Sequence, residues 1–189
     1  DRFHPVEQRA KVLSDLGLAP DCRLLLYVGR LAREKNVIPL ADMMKLFPDN
    51  GKTALLIVGD GEQRAAIETI ARHRNNVFWH PYCSSRELLS VFYSAADVFV
   101  HAGASETFGL VSLEAQACGA PVVAVRGGGV GATLQHESDP VFAEDASPRA
   151  LKEAVDRQLA RNEDAAQREE RRKRIIRYYG SDTTCGLLT

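Results

Sequence analysis

At 189 residues, 45% hydrophobic and 26% charged, the chain has the composition of one ordinary globular domain, long enough to bury a core without disulfide or metal staples. Its formal net charge of −1 at pH 7 projects no large field of one sign. That argues against a general nucleic-acid binder or a membrane-surface protein, and no nucleic-acid partner is expected.

The elements follow in chain order. RLLLYVG (23–29) has the unbroken apolar character of a buried strand, and REKNVIPLADMMKLF (33–47) carries apolar residues at helical spacing. TALLIVG (53–59) is a second strand, ending in the turn Gly59-Asp60-Gly61 before the helical GEQRAAIETIARH. NVFWH (76–80) is a short third strand, and SRELLSVFYSAA (85–96) a helix. DVFVHAG (97–103) is a fourth strand, followed by a helix around 109–118. APVVAV (120–125) is a fifth strand running into the glycines of 127–129. PVFAED holds a short strand, and SPRALKEAVDRQLAR begins a helix with Ser147 as N-cap and Pro148 at its first position. The stretch REERRKRIIR (168–177) reads as the solvated face of a C-terminal helix. Strands that are apolar throughout are covered on both faces, so the expected fold is α/β, a doubly wound parallel Rossmann-like sheet with C-terminal helices. The Rossmann-like sheet domain is expected over 1–160 and a helical extension over 161–189.

The four cysteines (Cys22, Cys83, Cys118, Cys185) lie far apart and form no CxxC. They suit free thiols in a reducing compartment better than a disulfide framework. The N-terminus DRFHP shows no signal-peptide pattern and no initiator Met, and no apolar run reaches the roughly 18 residues of a membrane span. A cytoplasmic location is the expectation, for a chain that reads as a fragment.

In a doubly wound sheet ligands bind beyond the carboxyl ends of the strands, here the loops after Gly29, Gly59, His101 and Val125. The first loop, GRLAREK, offers Arg30, Arg33 and Lys35. Arg can bind a phosphate bidentately and Lys as a point charge; a surface charge cluster is the plain alternative. No GxxxxGK[ST] occurs, so this is not a P-loop. The third loop lies in SETFGLVSLEAQACGAPVVAV (105–125), which puts Glu106 and Glu114 in an otherwise apolar segment. An unpartnered buried carboxylate costs several kcal/mol. Gly109 opens a helix there, where free backbone N–H groups favour a phosphate, and Glu114 sits roughly 7.5 Å further along the axis. Carboxylates only accept hydrogen bonds, so two of them flanking an anion site suit the hydroxyls of a sugar or ribose. The alternative is that Glu106 caps a helix and Glu114 pairs with a buried Arg.

SETFGLVSLEAQACGAPVVA resembles the E-x7-E signature of retaining glycosyltransferases of family 4, with its trailing EAxACGxPVVA. In family order, DRFHP is similar to the FxP after the interdomain linker, YVGRLAREKN to the GRLxxxKN loop, LLIVGDGEQRAAIE to VGDGPxxxxLE, and ELLSVFYSAADVFVHAG to the lead-in to the signature. The tail YYGSDTTCGLL is weakly similar to the family's closing helix. The resemblance implies the GT-B fold, two Rossmann-like domains of which this chain is the one that holds the nucleotide-sugar. It implies that Arg30 and Lys35 hold the donor diphosphate beside Gly29, and that Thr107, Phe108, Gly109, Leu110 and Val111 meet the phosphates and sugar. Glu106 would bind hydroxyls of the transferred sugar and, with Arg30 and Lys35, form the catalytic set. Glu114 would bind the ribose, and Gly59, Asp60, Pro81 and Tyr82 would line the base pocket. No cofactor or metal is implied, because cations and helix dipole serve the leaving diphosphate; His80 and His101 read as structural or pocket-lining. The implied partners are a UDP- or GDP-hexose, a separate N-terminal acceptor domain onto which the extension docks, and a lipid or glycan acceptor, with peripheral contact to the inner membrane made through that domain. The isolated chain would bind donor and transfer little. Where the family shows GGxxE and NGLLV, this chain has GGGVGATLQHE and SDPVFAED, which implies an unusual pocket corner.

Three other readings compete. Gly127–Ala132 satisfies GxGxxA, as a dinucleotide-binding oxidoreductase would, but it follows the fifth strand and lacks the acidic residue about 20 positions on. Another GT-B enzyme, such as a nucleotide-sugar epimerase or a phosphorylase, and a non-catalytic nucleotide-sugar-binding module share the same motifs. Response to UDP or GDP but not NAD(H) separates the first from the rest.

Overall fold

The structure, a computed structural model, describes residues 3–103, 109–127, 129–137 and 139–179. Its strands are β1 (Arg23–Val28), β2 (Thr53–Val58), β3 (Val77–His80), β4 (Val98–His101), β5 (Val122–Val125) and β6 (Val141–Ala143). They form one sheet in the order β3-β2-β1-β4-β5-β6, with every neighbouring pair parallel. The helices are α1 (Arg9–Asp15), α2 (Val37–Met43), α3 (Arg64–His73), α4 (Arg86–Ala95), α5 (Leu110–Ala117), α6 (Val130–Thr133), α7 (Pro148–Leu159) and α8 (Ala165–Tyr179).

The apolar strands follow from this layering. Leu25 and Tyr27 of β1 pack with Leu40 of α2, Ile67 of α3 and Leu151 of α7. Leu24, Leu26 and Val28 pack on the other side with Leu13 of α1, Phe92 of α4, Ala115 of α5 and Val130 of α6. Leu24, Leu25 and Leu26 are each fully buried, and each such side chain contributes about 2 kcal/mol of hydrophobic stabilisation. Ser147 caps α7 as its sequence predicts, accepting from the Ala150 N–H at 3.3 Å, with Pro148 at the helix start.

Three local features differ from the expectations. The helix expected over 33–47 is interrupted: a 3-10 turn covers Arg33–Lys35, and Asn36 stands in the left-handed region at φ 52° before α2 begins. Asn tolerates that conformation, and its side chain is used elsewhere, as shown below. Helix α1 was not expected, because it buries only Val12 and Leu13 and so leaves a faint apolar period.

The third difference concerns 168–177, which is anchored rather than simply solvated. Arg171 is 6% exposed and reaches Glu137 at 3.1 Å, Glu163 at 2.7 Å and the Gly119 carbonyl at 3.2 Å. Arg168 donates to the carbonyls of Gly119 and Ala96. Those carbonyls close α5 and α4, where helix ends present unpaired oxygens and partial negative charge. Ile175 and Tyr179 of α8 bury against Leu113 and Ala117 of α5. Residues 180–189 of the extension lie outside the described residues, as does Cys185; Cys22, Cys83 and Cys118 are free thiols. No helix among the described residues is long and apolar enough to cross a membrane.

Candidate functional site

The sheet order reverses at β1, whose neighbours are β2 on one side and β4 on the other. Loops leaving the carboxyl ends of β1 and β4 therefore diverge, and a crevice opens between them. Asn36 ties the two loops together, its Nδ2 donating to the Ala102 carbonyl at 2.9 Å.

A cleft of about 540 Å3 lies at this edge. It brings together Gly29 and Arg30 from the end of β1, Gly59 and Asp60 from the end of β2, Tyr82 after β3, and Val111 and Glu114 on α5. Pro81, Leu110, Gly109 and Lys35 are described but stand outside its lining. Glu106, Thr107 and Phe108 lie outside the described residues.

Close backbone approach shapes the cleft floor. A Cβ at Gly59, whose φ is 149°, would fall 1.9 Å from the Gly29 carbonyl oxygen. Only glycine lets the two strand ends meet there, and Gly29 N–H to Val58 O (3.0 Å) and Leu31 N–H to Asp60 O (2.8 Å) hold them. Asp60 accepts from the Gly61 N–H at 2.7 Å and faces Arg64 at 3.4 Å. Arg30 extends toward solvent, with 65% of its side chain exposed, and pairs with Glu34. An exposed pair of this kind is weak and can exchange for a phosphate. Lys35 runs beside the end of β4: a Cβ at Gly103 would come within 3.3 Å of its Cδ.

Gly109 precedes α5 at φ 70° and abuts Val130, 2.8 Å from where its Cβ would stand. The N-cap position is a glycine, which has no capping side chain, and the start of a helix is where backbone N–H groups can receive an anionic ligand. Glu114 projects from the second turn of α5 into the cleft, where its Oε2 accepts from the Tyr93 hydroxyl at 2.9 Å. Burial pushes the Glu114 carboxyl above its ordinary range, against lowering contributions from the Tyr93 hydrogen bond and the Arg86 charge. Glu114 makes no ion pair with an Arg or Lys among the described residues, which removes the plain alternative for it.

Cys83, Ser84, Arg86 and Leu89 also line the cleft and were not picked out from the sequence. Arg86 offered one signal. It is the first residue of α4, where a cation opposes the helix dipole, and such local misfits often mark functional positions. A larger hollow of about 680 Å3 lies beside the edge strand β3. Its Glu68, Arg72 and Arg74 are already committed to neighbours. Among the described residues no group of three or more His, Cys, Asp or Glu is placed to hold a metal ion. His80 donates from Nδ1 to the Pro81 carbonyl at 2.8 Å, and His101 is buried at the end of β4.

The sequence model of the family described as glycosyl transferases group 1 matches residues 8–178. A D-inositol 3-phosphate glycosyltransferase of Catenulispora acidiphila is 37% identical over 144 residues, covering 69% of this chain and 33% of that protein. Sucrose-phosphate synthase from Thermosynechococcus elongatus superposes with a TM-score of 0.78 at 32% identity, over 96% of this chain and 46% of the synthase. HepE of Anabaena, solved in complex with UDP-glucose, has the same fold, with a TM-score of 0.78 at 19% identity over 93% of this chain and 50% of its own. The chain thus spans between 33% and 50% of the length of these relatives.

Proposed function

The chain belongs to the group 1 glycosyl transferases, and from that premise we propose that it is the donor-binding half of a retaining hexosyltransferase that takes a UDP- or GDP-hexose. The observation that carries this reading is the cleft at the strand-order reversal, which places a basic loop, an exposed aromatic ring and an acceptor-only carboxylate around one cavity. HepE in complex with UDP-glucose supports a hexose nucleotide as ligand.

In this reading the diphosphate lies between Arg30, Lys35 and the start of α5, near Gly109, Leu110 and Val111. Charge develops on the leaving diphosphate as the glycosidic bond breaks, and fixed donors aimed there lower the barrier. Glu114 accepts from the ribose hydroxyls. Tyr82, 70% exposed, gives the base a stacking surface beside Gly59, Asp60 and Pro81. Glu106, with Thr107 and Phe108, is assigned to the transferred sugar. No metal is required, since the cations and the helix dipole neutralise the leaving group. An N-terminal acceptor domain, contacted by the 161–189 extension, supplies a lipid or glycan acceptor, in a cytoplasmic enzyme peripheral to the inner membrane.

A thermal-shift panel of UDP, GDP and ADP sugars with NAD(H) as control tests the donor assignment. Stabilisation by a UDP or GDP compound and none by NAD(H) is expected; the reverse pattern overturns it. Arg30→Ala with Lys35→Ala should abolish diphosphate binding, and unchanged affinity would remove the diphosphate assignment. EDTA should leave binding unaltered.

A further inference from the structure

We propose that Tyr93 is a positioning residue that orients the Glu114 carboxylate for recognition of a vicinal ribose diol. This rests on the donor-site reading above and adds to it the part that holds the acceptor in place.

The geometry carries it. Tyr93 sits on α4, fully buried, and its hydroxyl donates to Oε2 of Glu114 across the α4–α5 contact at 2.9 Å. Its ring is fixed edge-on against Phe99 of β4 (centroids 5.7 Å apart, 64°) and against Phe3 (5.9 Å, 74°). The donor is therefore delivered from a rigid part of the core and not from a loop. A carboxylate has two oxygens and about four lone-pair directions. With one taken from the core side, rotation of the carboxyl group is restricted, and the remaining lone pairs are presented to the cleft that Glu114 lines. Hydrogen bonds to a charged acceptor are stronger than neutral ones, so this one can hold the group against thermal rotation. Burial and the neighbouring Glu114 keep the Tyr93 phenol well above the ordinary tyrosine range. It stays protonated and so remains a donor. A diol needs two acceptors at a set angle, whereas a single hydroxyl or a phosphate does not. Orientation of Glu114 should therefore matter for ribose and for nothing else in the donor.

The test is calorimetric titration of the wild-type chain and Tyr93→Phe with UDP and GDP and with their 2′,3′-dideoxy counterparts. The wild type should prefer the ribo form by about tenfold, the worth of a hydrogen bond to a charged group. Tyr93→Phe should lose most of that preference while binding the dideoxy compounds within about twofold of wild type, a pattern that general loosening of the fold would not produce. A Tyr93→Phe protein that keeps the full preference overturns the inference and leaves the donor site standing. A wild type with no preference removes the ribose role of Glu114 and the inference with it. If neither diphosphate binds the wild type, the donor-site reading itself falls and takes the inference along. Should Tyr93→Phe fail to fold, 4-methylphenylalanine at position 93 keeps the ring and nearly the same volume without a donor. A lost ribo preference then supports the inference and a full one overturns it.

Discussion

Gly59→Ala probes the close approach on which the cleft floor depends. The added methyl would stand 1.9 Å from the Gly29 carbonyl oxygen and 3.0 Å from its carbon, roughly an ångström or more inside ordinary contact. Both atoms are backbone, so no rotamer relieves the overlap and the ends of β1 and β2 must part. Parting them disrupts Gly29 N–H to Val58 O and Leu31 N–H to Asp60 O, at about 1 kcal/mol each. The φ of 149°, which suits glycine, adds on the order of 1 kcal/mol. The total is about 3 kcal/mol, and a domain of this size loses roughly 2–4 °C of Tm per kcal/mol. Scanning calorimetry should therefore show a fall of about 6–12 °C, and titration should show weakened UDP or GDP binding. Gly131→Ala is the control, since a Cβ there meets nothing within 4 Å; its Tm should hold or rise. A Gly59→Ala protein within about 2 °C of wild type, less than one kcal/mol would give, would refute the reasoning.

Arg171→Ala would leave Glu163, whose side chain is 10% exposed, without its ion-pair partner, while Glu137 keeps Arg174 at 3.1 Å, at a cost of about 3 kcal/mol; chemical denaturation should show it, while Arg171→Met with Glu163→Gln should recover much of the loss. Glu163 also sets a pH dependence. Burial raises its carboxyl, but hydrogen bonding and charge from Arg171, with Gln158 and Arg168, outweigh that and the net shift is downward. A depressed folded value means that its stabilisation is complete above the ordinary carboxylate value of 4.5 and is lost as pH falls through the folded value. Protection of α8 amides from hydrogen exchange should decline over that acid range and not between pH 6 and 8. Arg86→Ala should weaken nucleoside diphosphate binding by about three- to tenfold at low salt and less at high salt, with no loss of Tm because a cation leaves the positive end of α4; equal affinity at low salt would exclude Arg86 from the site.

What the sequence discloses and what it conceals divide along a physical line. The strands are readable because LLLYV, ALLIV and VVAV are apolar at every position, a pattern that only a sheet covered on both faces explains. The loops holding Arg30, Asp60 and Tyr82 follow from strand ends alone, because a doubly wound sheet collects its carboxyl edge into one place. Glu114 is conspicuous as a charge among apolar neighbours. Its partner is not, since Tyr93 lies among Phe92 and Ala95 and reads as one more core aromatic. Asn36 to Ala102, Arg171 to Glu137 and Tyr93 to Glu114 all join residues that no local period relates. Arg168 and Arg171 misled for the same reason: a run of charges looks solvated until the ends of α4 and α5 supply carbonyls for it to cap. Local chemistry thus points to the cleft, because most of its lining ends a strand or lies near the start of a helix. The devices that orient its groups come from contacts across elements, and those exist only once the sheet has brought the helices together.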